Sequence, residues 1–281
     1  MAKGPDGGVT APAQPPSPLS QPYGEYRNLR VTRVGDRILR ISLNRPKLNL
    51  VSLDLLDELG SVLDRIGKDP DVFVVLVTGE GNVLSAGADL STYVADPMQF
   101  LEFSRVGERV FRKIVELPKI TVAEIKGYAL GGGLELALSC DIRLATPDST
   151  LGFPEVTLGI VPGWGGTQRL PRLIGASRAM ELVLTGRRIS GKEAYEMGLV
   201  TSLLGQDPDS EALKYAESIA SSSAPIAARL AKMLVNKASE VPEDVGLEAE
   251  SAAFGILFST QDAKEGISAL FQKRKAAFRG K

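Results

Sequence analysis

The sequence predicts a layered α/β fold with a helical C-terminal extension. Three observations carry that expectation. Strand-like apolar runs alternate with helix-period stretches as far as about Gly186, one of those runs has no polar face at all, and beyond Gly186 only amphipathic helical patterns remain. At 281 residues and 43% hydrophobic content the chain can bury a substantial core.

Residues 1–24 hold six of the seventeen prolines and four glycines but no apolar run, which predicts a disordered tail rather than a signal or transit peptide. Leu29 and Val31, then Leu39, Ile41 and Leu43 alternating with Arg40 and Ser42 across Gly35-Asp36, predict an antiparallel hairpin. Leu53, Leu56, Leu59, Leu63 and Ile66 recur at helical spacing behind a Ser52 N-cap, with Asp54, Asp57 and Glu58 early, where the helix dipole favours acid. Residues 72–77 read Val-Phe-Val-Val-Leu-Val, a strand covered on both faces. A helix follows over 98–116, ending before Pro118, and a strand over 120–125 runs straight into a triglycine loop. Helix 134–140, strand 142–145 and a glycine-rich turn around Trp164 leading to another helix repeat the alternation. Ser190 and Glu193 stand at capping-box spacing, and amphipathic stretches follow over 209–222, 225–238, 243–257 and 262–277.

Composition narrows the chemistry. Thirty-three basic and 34 acidic residues give a formal charge of −1, so no global field favours nucleic acid or an anionic membrane. No apolar run approaches the length of a membrane span, and the expectation is a cytoplasmic protein. There is no histidine and one cysteine, Cys140, whose Leu/Ala neighbours predict a buried thiol at a helix end rather than a nucleophile. No intrachain disulfide and no ordinary zinc site can form. Proton transfer near neutral pH then falls to carboxylates, Lys, Tyr or that cysteine.

The most informative segment is Gly127-Tyr128-Ala129-Leu130-Gly131-Gly132-Gly133-Leu134-Glu135. Three glycines opening an apolar run suit a helix N-terminus whose free N–H groups can bind developing negative charge, or simply a helix start that needs room against a strand. The spacing is neither a dinucleotide fingerprint nor a phosphate loop. Glu135 in the first turn of an apolar helix costs desolvation unless it is partnered or used; the plainer alternative is a surface carboxylate that favours the dipole. Glu155, after Gly152-Phe153-Pro154, precedes Val156, Leu158 and Ile160 and so stands at the mouth of what reads as a buried segment. The small residues of Ser85-Ala86-Gly87-Ala88-Asp89-Leu90 would let a ligand approach the main chain, with the Ala88 N–H as a donor, or form a plain turn.

Taken together, Gly127 to Leu136, Ser85 to Leu90, Phe153-Pro154-Glu155 and the run Gly159-Ile160-Val161-Pro162-Gly163-Trp164-Gly165-Gly166-Thr167-Gln168-Arg169-Leu170 resemble the crotonase superfamily, most closely its enoyl-CoA hydratases. The likeness extends through Lys264-Glu265-Gly266 and Lys273-Arg274-Lys275, covering about residues 26–281. It implies a crotonase-like spiral of ββα units over residues 25–200 and a helical trimerisation region over 201–281, with trimers usually paired into hexamers.

For function, the resemblance implies reversible hydration of a trans-2-enoyl-CoA to a 3-hydroxyacyl-CoA, with coenzyme A as part of the substrate and no separate cofactor. Glu135 and Glu155 match the two acid/base glutamates, Ala88 and Gly132 the oxyanion-hole donors, and Gly163 the position whose N–H helps hold the water. The backbone of Ala86, Gly87, Asp89 and Leu90 would hold CoA, while Phe254 and Lys273 would reach its adenine and phosphates from a neighbouring subunit. Read alone, those two residues are equally a core aromatic and a solvated tail lysine. Three positions depart from the family pattern. Leu50 replaces a common Ala, Ser91 stands where a phosphate-binding Lys is frequent, with Lys47 as the candidate to compensate, and Trp164 replaces a small residue. A bulky indole there predicts a short acyl pocket. The alternatives are another crotonase reaction, isomerisation or thioester hydrolysis, or an RNA-binding protein on the same fold.

Overall fold

A computed structural model describes residues 23–45, 47–92 and 96–281. The expected tail therefore lies outside the described residues except at its end. There Tyr23 is already packed, 3% exposed, with its hydroxyl donating to Asp69 and the Arg65 guanidinium over its ring.

The hairpin forms as β1 (Leu29–Gly35) and β2 (Ile38–Leu43), followed by α1 (Leu53–Lys68), whose first turn is closed by the Ser52 hydroxyl accepting from the Leu55 N–H. Strands β3 (Val74–Gly79), β4 (Ile120–Ile125), β6 (Ile142–Ala145) and β9 (Ser202–Leu203) extend β2 as a parallel sheet in the order β1-β2-β3-β4-β6-β9. Helix α2 (Pro97–Glu116) connects β3 to β4, and α3 (Gly132–Ser139) precedes β6. One face of the sheet packs Leu39, Ile41, Val75, Val77, Ala123 and Ile125 against α1 to α3. The other packs Ile38, Val74, Leu76 and Val122 under Ala212 and Ala216 of α7 (Pro208–Ser222). Coverage on both sides is why β3 has no polar face.

A second, smaller layer was not legible in the sequence. Strands β5 (Tyr128–Leu130), β7 (Thr150–Gly152) and β8 (Arg188–Ser190) form a three-stranded sheet, extended by a bridge between Ser85 and Ala129 and accompanied by one between Val51 and Ala88. Each turn of the chain thus places one segment in the large sheet, one in the small layer and then a helix. The turns run β2, Val51, α1; then β3, residues 85–88, α2; then β4, β5, α3; then β6 and β7, leading to α4 (Gly166–Ile174). That repetition is the ββα spiral.

Four local expectations need correction. Residues Val72 and Phe73 are buried but precede the ladder, their amides turning to Asp69 and Arg37 carbonyls, so β3 starts at Val74. Residues 120–125 do not enter the triglycine loop directly, because a turn at Gly127 and then β5 intervene. The segment after Glu155 is a 3-10 turn (Pro154–Leu158) with Leu158 63% exposed, not a buried run. The final helix, α10 (Gln261–Phe271), stops early: Lys273 takes φ +53, and the chain folds back so that Arg279 and Gly280 amides donate to the buried Asp262 carboxylate at 2.7 Å each.

The remaining helices are α5 (Ala176–Thr185), α6 (Gly191–Glu196), α8 (Pro225–Lys237) and α9 (Glu243–Leu257). The Ser190 cap is made as expected, its hydroxyl accepting from the Glu193 N–H at 3.1 Å. Cys140 is buried at the end of α3, and burial pushes its thiol up to about 12, which leaves it inert near neutral pH. Arg143 is 7% exposed and donates to the carbonyls of Cys140, Ala137 and Leu199, satisfying the C-terminal end of α3.

Candidate active site

The spiral brings three sequence-distant segments together at the N-terminus of α3. Gly131, its N-cap, has φ +50 with ψ −122, a combination outside the left-handed helical region that glycine alone adopts readily. A Cβ at Gly131 would lie 2.6 Å from the Glu155 Oε1, so the close approach also requires glycine. From the other side, the 85–90 loop lies against the triglycine segment, with the Leu130 N–H donating to the Ser85 carbonyl. The position a Gly87 side chain would take is 3.8 Å from the Gly132 nitrogen. Ala88 is the next residue. Among the described residues, neither the Ala88 nor the Gly132 N–H meets a backbone acceptor; for Gly132 this follows from its place in the first turn of α3.

Glu135 is 2% exposed, one turn into α3. Its Oε1 accepts from the Trp164 and Gly166 amides at 2.7 Å each. Burial raises its proton affinity, while those amides, the Arg169 guanidinium and the nearby Gly163 backbone oppose the rise. Glu155 is 9% exposed, and its Oε2 is buried with no hydrogen-bond partner among the described residues. Burial pushes it up to about 7, with the Glu135 charge adding to the rise, so the two carboxyls sense each other. Two amides from the 164–166 turn hold Glu135, whereas Glu155 Oε2 meets no donor among the described residues.

Trp164 is 3% exposed and packs edge-on against Phe103 and Phe111 of α2. Its carbonyl accepts from Arg169 Nη1 at 2.7 Å, so Arg169 braces the turn whose amides hold Glu135. Sequence reading missed Arg169, Phe103 and Phe111. Arg169 lay inside the motif that carried the resemblance, but nothing in its spacing shows that it faces a carboxylate.

A cavity of about 540 Å³ is lined by Arg45, Lys47, Leu48 and Leu50. The Ala86 N–H donates to the Leu48 carbonyl, which joins this cavity to the 86–90 loop. Asp89 pairs with Arg45 at 2.9 Å and accepts from Ser91 Oγ at 2.6 Å; these bonds hold its carboxyl below the usual range, and the side chain is committed within the loop. Leu90 opens a short 3-10 turn. The Gly163 carbonyl accepts from Ser104 Oγ at 2.9 Å. Phe254 is 67% exposed and tilted against Phe258, so it is not a core aromatic, and Lys273 is exposed just beyond α10.

A family profile for enoyl-CoA hydratase/isomerase matches residues 33–281. The chain belongs to the enoyl-CoA hydratase/isomerase family. It is 40% identical over 257 residues to the short-chain-enoyl-CoA hydratase of Clostridium acetobutylicum, covering 89% of this chain and 97% of that one. Identity to the crotonyl-CoA hydratase of Syntrophomonas wolfei is 38% over 259 residues, covering 90% and 98%. The crystal structure of enoyl-CoA hydratase from Bacillus anthracis superposes with a TM-score of 0.87 at 40% identity, over 91% of this chain and all (100%) of that one. The architecture of this family member is therefore the crotonase fold, with C-terminal helices appended.

Proposed function

We propose that this member of the enoyl-CoA hydratase/isomerase family adds water, reversibly and syn, to short-chain trans-2-enoyl-CoA thioesters to give 3-hydroxyacyl-CoA. The observation that carries the reading is the pair of buried carboxyls beside the α3 N-terminus in unlike environments, Glu135 held by two amides and Glu155 Oε2 with no partner. The short-chain and crotonyl-CoA hydratases to which the chain is similar support it.

In the hydration direction the thioester oxygen is held by the Ala88 and Gly132 N–H groups, which favour the enolate charge as it develops. Glu135, ionised, takes a proton from water as the water oxygen bonds to C3, and Gly163 helps orient that water. Glu155, protonated, gives its proton to C2 as the enolate collapses. The net change is one water consumed, and proton exchange between the carboxyls through solvent resets the pair. A single proton shared between the two is cheaper than two buried charges, which separates their roles. Coenzyme A enters with the substrate and no other cofactor is invoked. The 86–90 backbone and Lys47 hold the CoA near the 540 Å³ cavity, with Phe254 and Lys273 contributed by a neighbouring subunit.

We also place the protein in the cytoplasm; among the described residues no helix is long and apolar enough to cross a membrane. Residues 25–200 act as the catalytic core and 201–281 as the oligomerisation region, giving trimers or hexamers. Exposed Phe254, Ile256, Phe258, Leu270 and Phe271 support a second copy of the chain as their cover.

The test is loss of conjugated-thioester absorbance with crotonyl-CoA, with the product identified as 3-hydroxybutyryl-CoA and no free thiol released. Glu135→Gln and Glu155→Gln are each expected to lower kcat by about 10²–10⁴-fold. A variant that keeps the wild-type rate removes its residue from the mechanism. A shifted double bond or free CoA as the product would replace hydration with isomerisation or hydrolysis.

A further inference from the structure

Trp164 is the only tryptophan in the chain, and it spans the gap between two helices. A Cβ at Gly107 of α2 would lie 2.2 Å from its Nε1, and a Cβ at Gly132 would lie 2.2 Å from its Cζ3. The pyrrole edge therefore rests on the α2 backbone while the benzo edge rests on the first residue of α3. Neither position accepts even a methyl group with the indole in place. Phe103 and Phe111 stand four residues before and after Gly107 on the same helix face, with ring centroids 5.0 and 5.4 Å from the indole and interplanar angles of 88° and 77°. They close both sides of the seat. On the third side Arg169 fixes the Trp164 carbonyl. The indole is thus buried, 3% exposed, between two rings and two glycine backbones.

We infer that Gly107 determines the acyl-chain limit of this enzyme, by seating the Trp164 indole as a fixed wall directly beyond the reacting carbons. The inference deepens the hydratase reading and rests on it for the identity of the acyl group. If the thioester oxygen sits at the Gly132 N–H and the attacking water at Glu135, then carbons beyond C3 leave the site between those two residues. Trp164 bounds that space at both ends: its ring rests on Gly132, and its backbone amide, at the base of the same side chain, donates to Glu135. A four-carbon acyl group ends before the wall, whereas longer ones must displace an indole that four neighbours hold. Gly107 is a positioning residue here. It touches no substrate, and any larger residue drives the indole toward Gly132 and the oxyanion donor.

The test compares kcat/KM for four-, six-, eight- and ten-carbon trans-2-enoyl-CoA substrates in wild type, Trp164→Ala, Gly107→Ala and Gly107→Ala/Trp164→Leu. In Trp164→Ala the eight-carbon to four-carbon ratio is expected to rise by about tenfold or more, the scale of one to two methylenes in an apolar pocket. Gly107→Ala should lose about tenfold or more on crotonyl-CoA. The double variant should recover most of that loss, because the smaller Leu vacates the space the methyl needs. A merely structural role for Trp164 would depress all chain lengths together and leave the ratio unchanged, which overturns the inference, as does a Gly107→Ala enzyme with wild-type rates. Should Gly107→Ala alone fail to fold, recovery of the fold and of crotonyl-CoA turnover in Gly107→Ala/Trp164→Leu supports the seat, and a double variant that also fails overturns it.

Titration with unreactive butyryl-CoA and octanoyl-CoA separates this inference from the hydratase reading. Trp164 fluorescence should respond to butyryl-CoA in wild type, and isothermal titration should find tight octanoyl-CoA binding only in Trp164→Ala. That pattern without crotonyl-CoA turnover would sink the hydratase reading and leave the wall standing. Turnover with an unchanged chain-length ratio would do the reverse.

Discussion

Glu135 and Glu155 are both buried carboxyls, yet the chain treats them differently at the level of single atoms. Two amides at 2.7 Å stabilise the charged form of Glu135, whereas no donor among the described residues reaches Glu155 Oε2. With Glu155 pushed up to about 7, its protonated form is depleted above that pH, and hydration, which needs the proton, should decline there. Loss of ionised Glu135, whose proton affinity burial raises, sets the acidic limb. The expected kcat/KM profile for crotonyl-CoA hydration is a bell with its alkaline limb near pH 7, and Glu155→Gln should remove that limb from the residual rate. A profile flat from pH 6 to 9 in the wild type would contradict the assignment. In the dehydration direction the requirements exchange, so the ionised form of Glu155 is wanted and the rate should rise over the same interval.

At the scale of elements, the short turn before α4 does for Glu135 what a side-chain partner does elsewhere. Arg169 anchors this turn through the Trp164 carbonyl and is also the cation that lowers the proton affinity of Glu135. Arg169→Met should therefore move the acidic limb to higher pH and lower kcat about tenfold or more, whereas Arg169→Lys should restore the limb's position in part. A Met variant with an unshifted limb would show that the arginine only packs.

Much of this architecture was readable from the residues. Ser52 and Ser190 announced helix starts, Pro118 a helix end, and the unbroken apolar run at 72–77 a strand with two covered faces, though its ladder begins only at Val74. The small layer escaped because β5, β7 and β8 are three residues each, too short for a two-residue period to declare itself. Val156, Leu158 and Ile160 misled because apolar residues at every second position suggest burial, whereas a 3-10 turn over Pro154–Leu158 leaves Leu158 exposed. The paired glutamates were legible through their motifs. Their unequal surroundings were not, because the amides that distinguish them lie about thirty residues further along the chain.

Across the whole molecule, the two faces of the large sheet differ in what they bury. On the α7 side Glu124 is fully buried, with Lys126 at 3.2 Å and Arg40 at 3.7 Å, yet neither oxygen makes a directed hydrogen bond among the described residues. Burial pushes Glu124 up to about 7 despite those cations. The folded state thus binds a proton more tightly than the unfolded one. Its contribution to stability is complete below the unfolded value near 4.5 and is lost as pH rises toward 7, on the order of 3 kcal/mol for this group alone. Chemical denaturation of Glu124→Gln between pH 5 and 8 should show a flatter pH dependence than wild type. Equal slopes would mean that Lys126 and Arg40 already compensate the charge.

The C-terminal helices present the opposite problem, apolar groups without cover. Helix α8 has no fully buried residue and attaches partly through Lys232 and Asn236, which donate to carbonyls at the end of α2 and the turn after it. Light scattering at micromolar concentration is expected to give three or six times the chain mass. A monomer that persists at high concentration would leave the exposed phenylalanines of α9 and α10 unexplained.

Arg143 ties these scales together from a place no thioester reaches. Its guanidinium collects three carbonyls, two from the end of the helix that carries Glu135 and one from the strand approach at Leu199. Losing it would unpin the far end of an eight-residue lever whose near end aims a carboxylate. Inherited change at this interior cation would register in an assay as failed chemistry, even though every group that meets the substrate remained untouched.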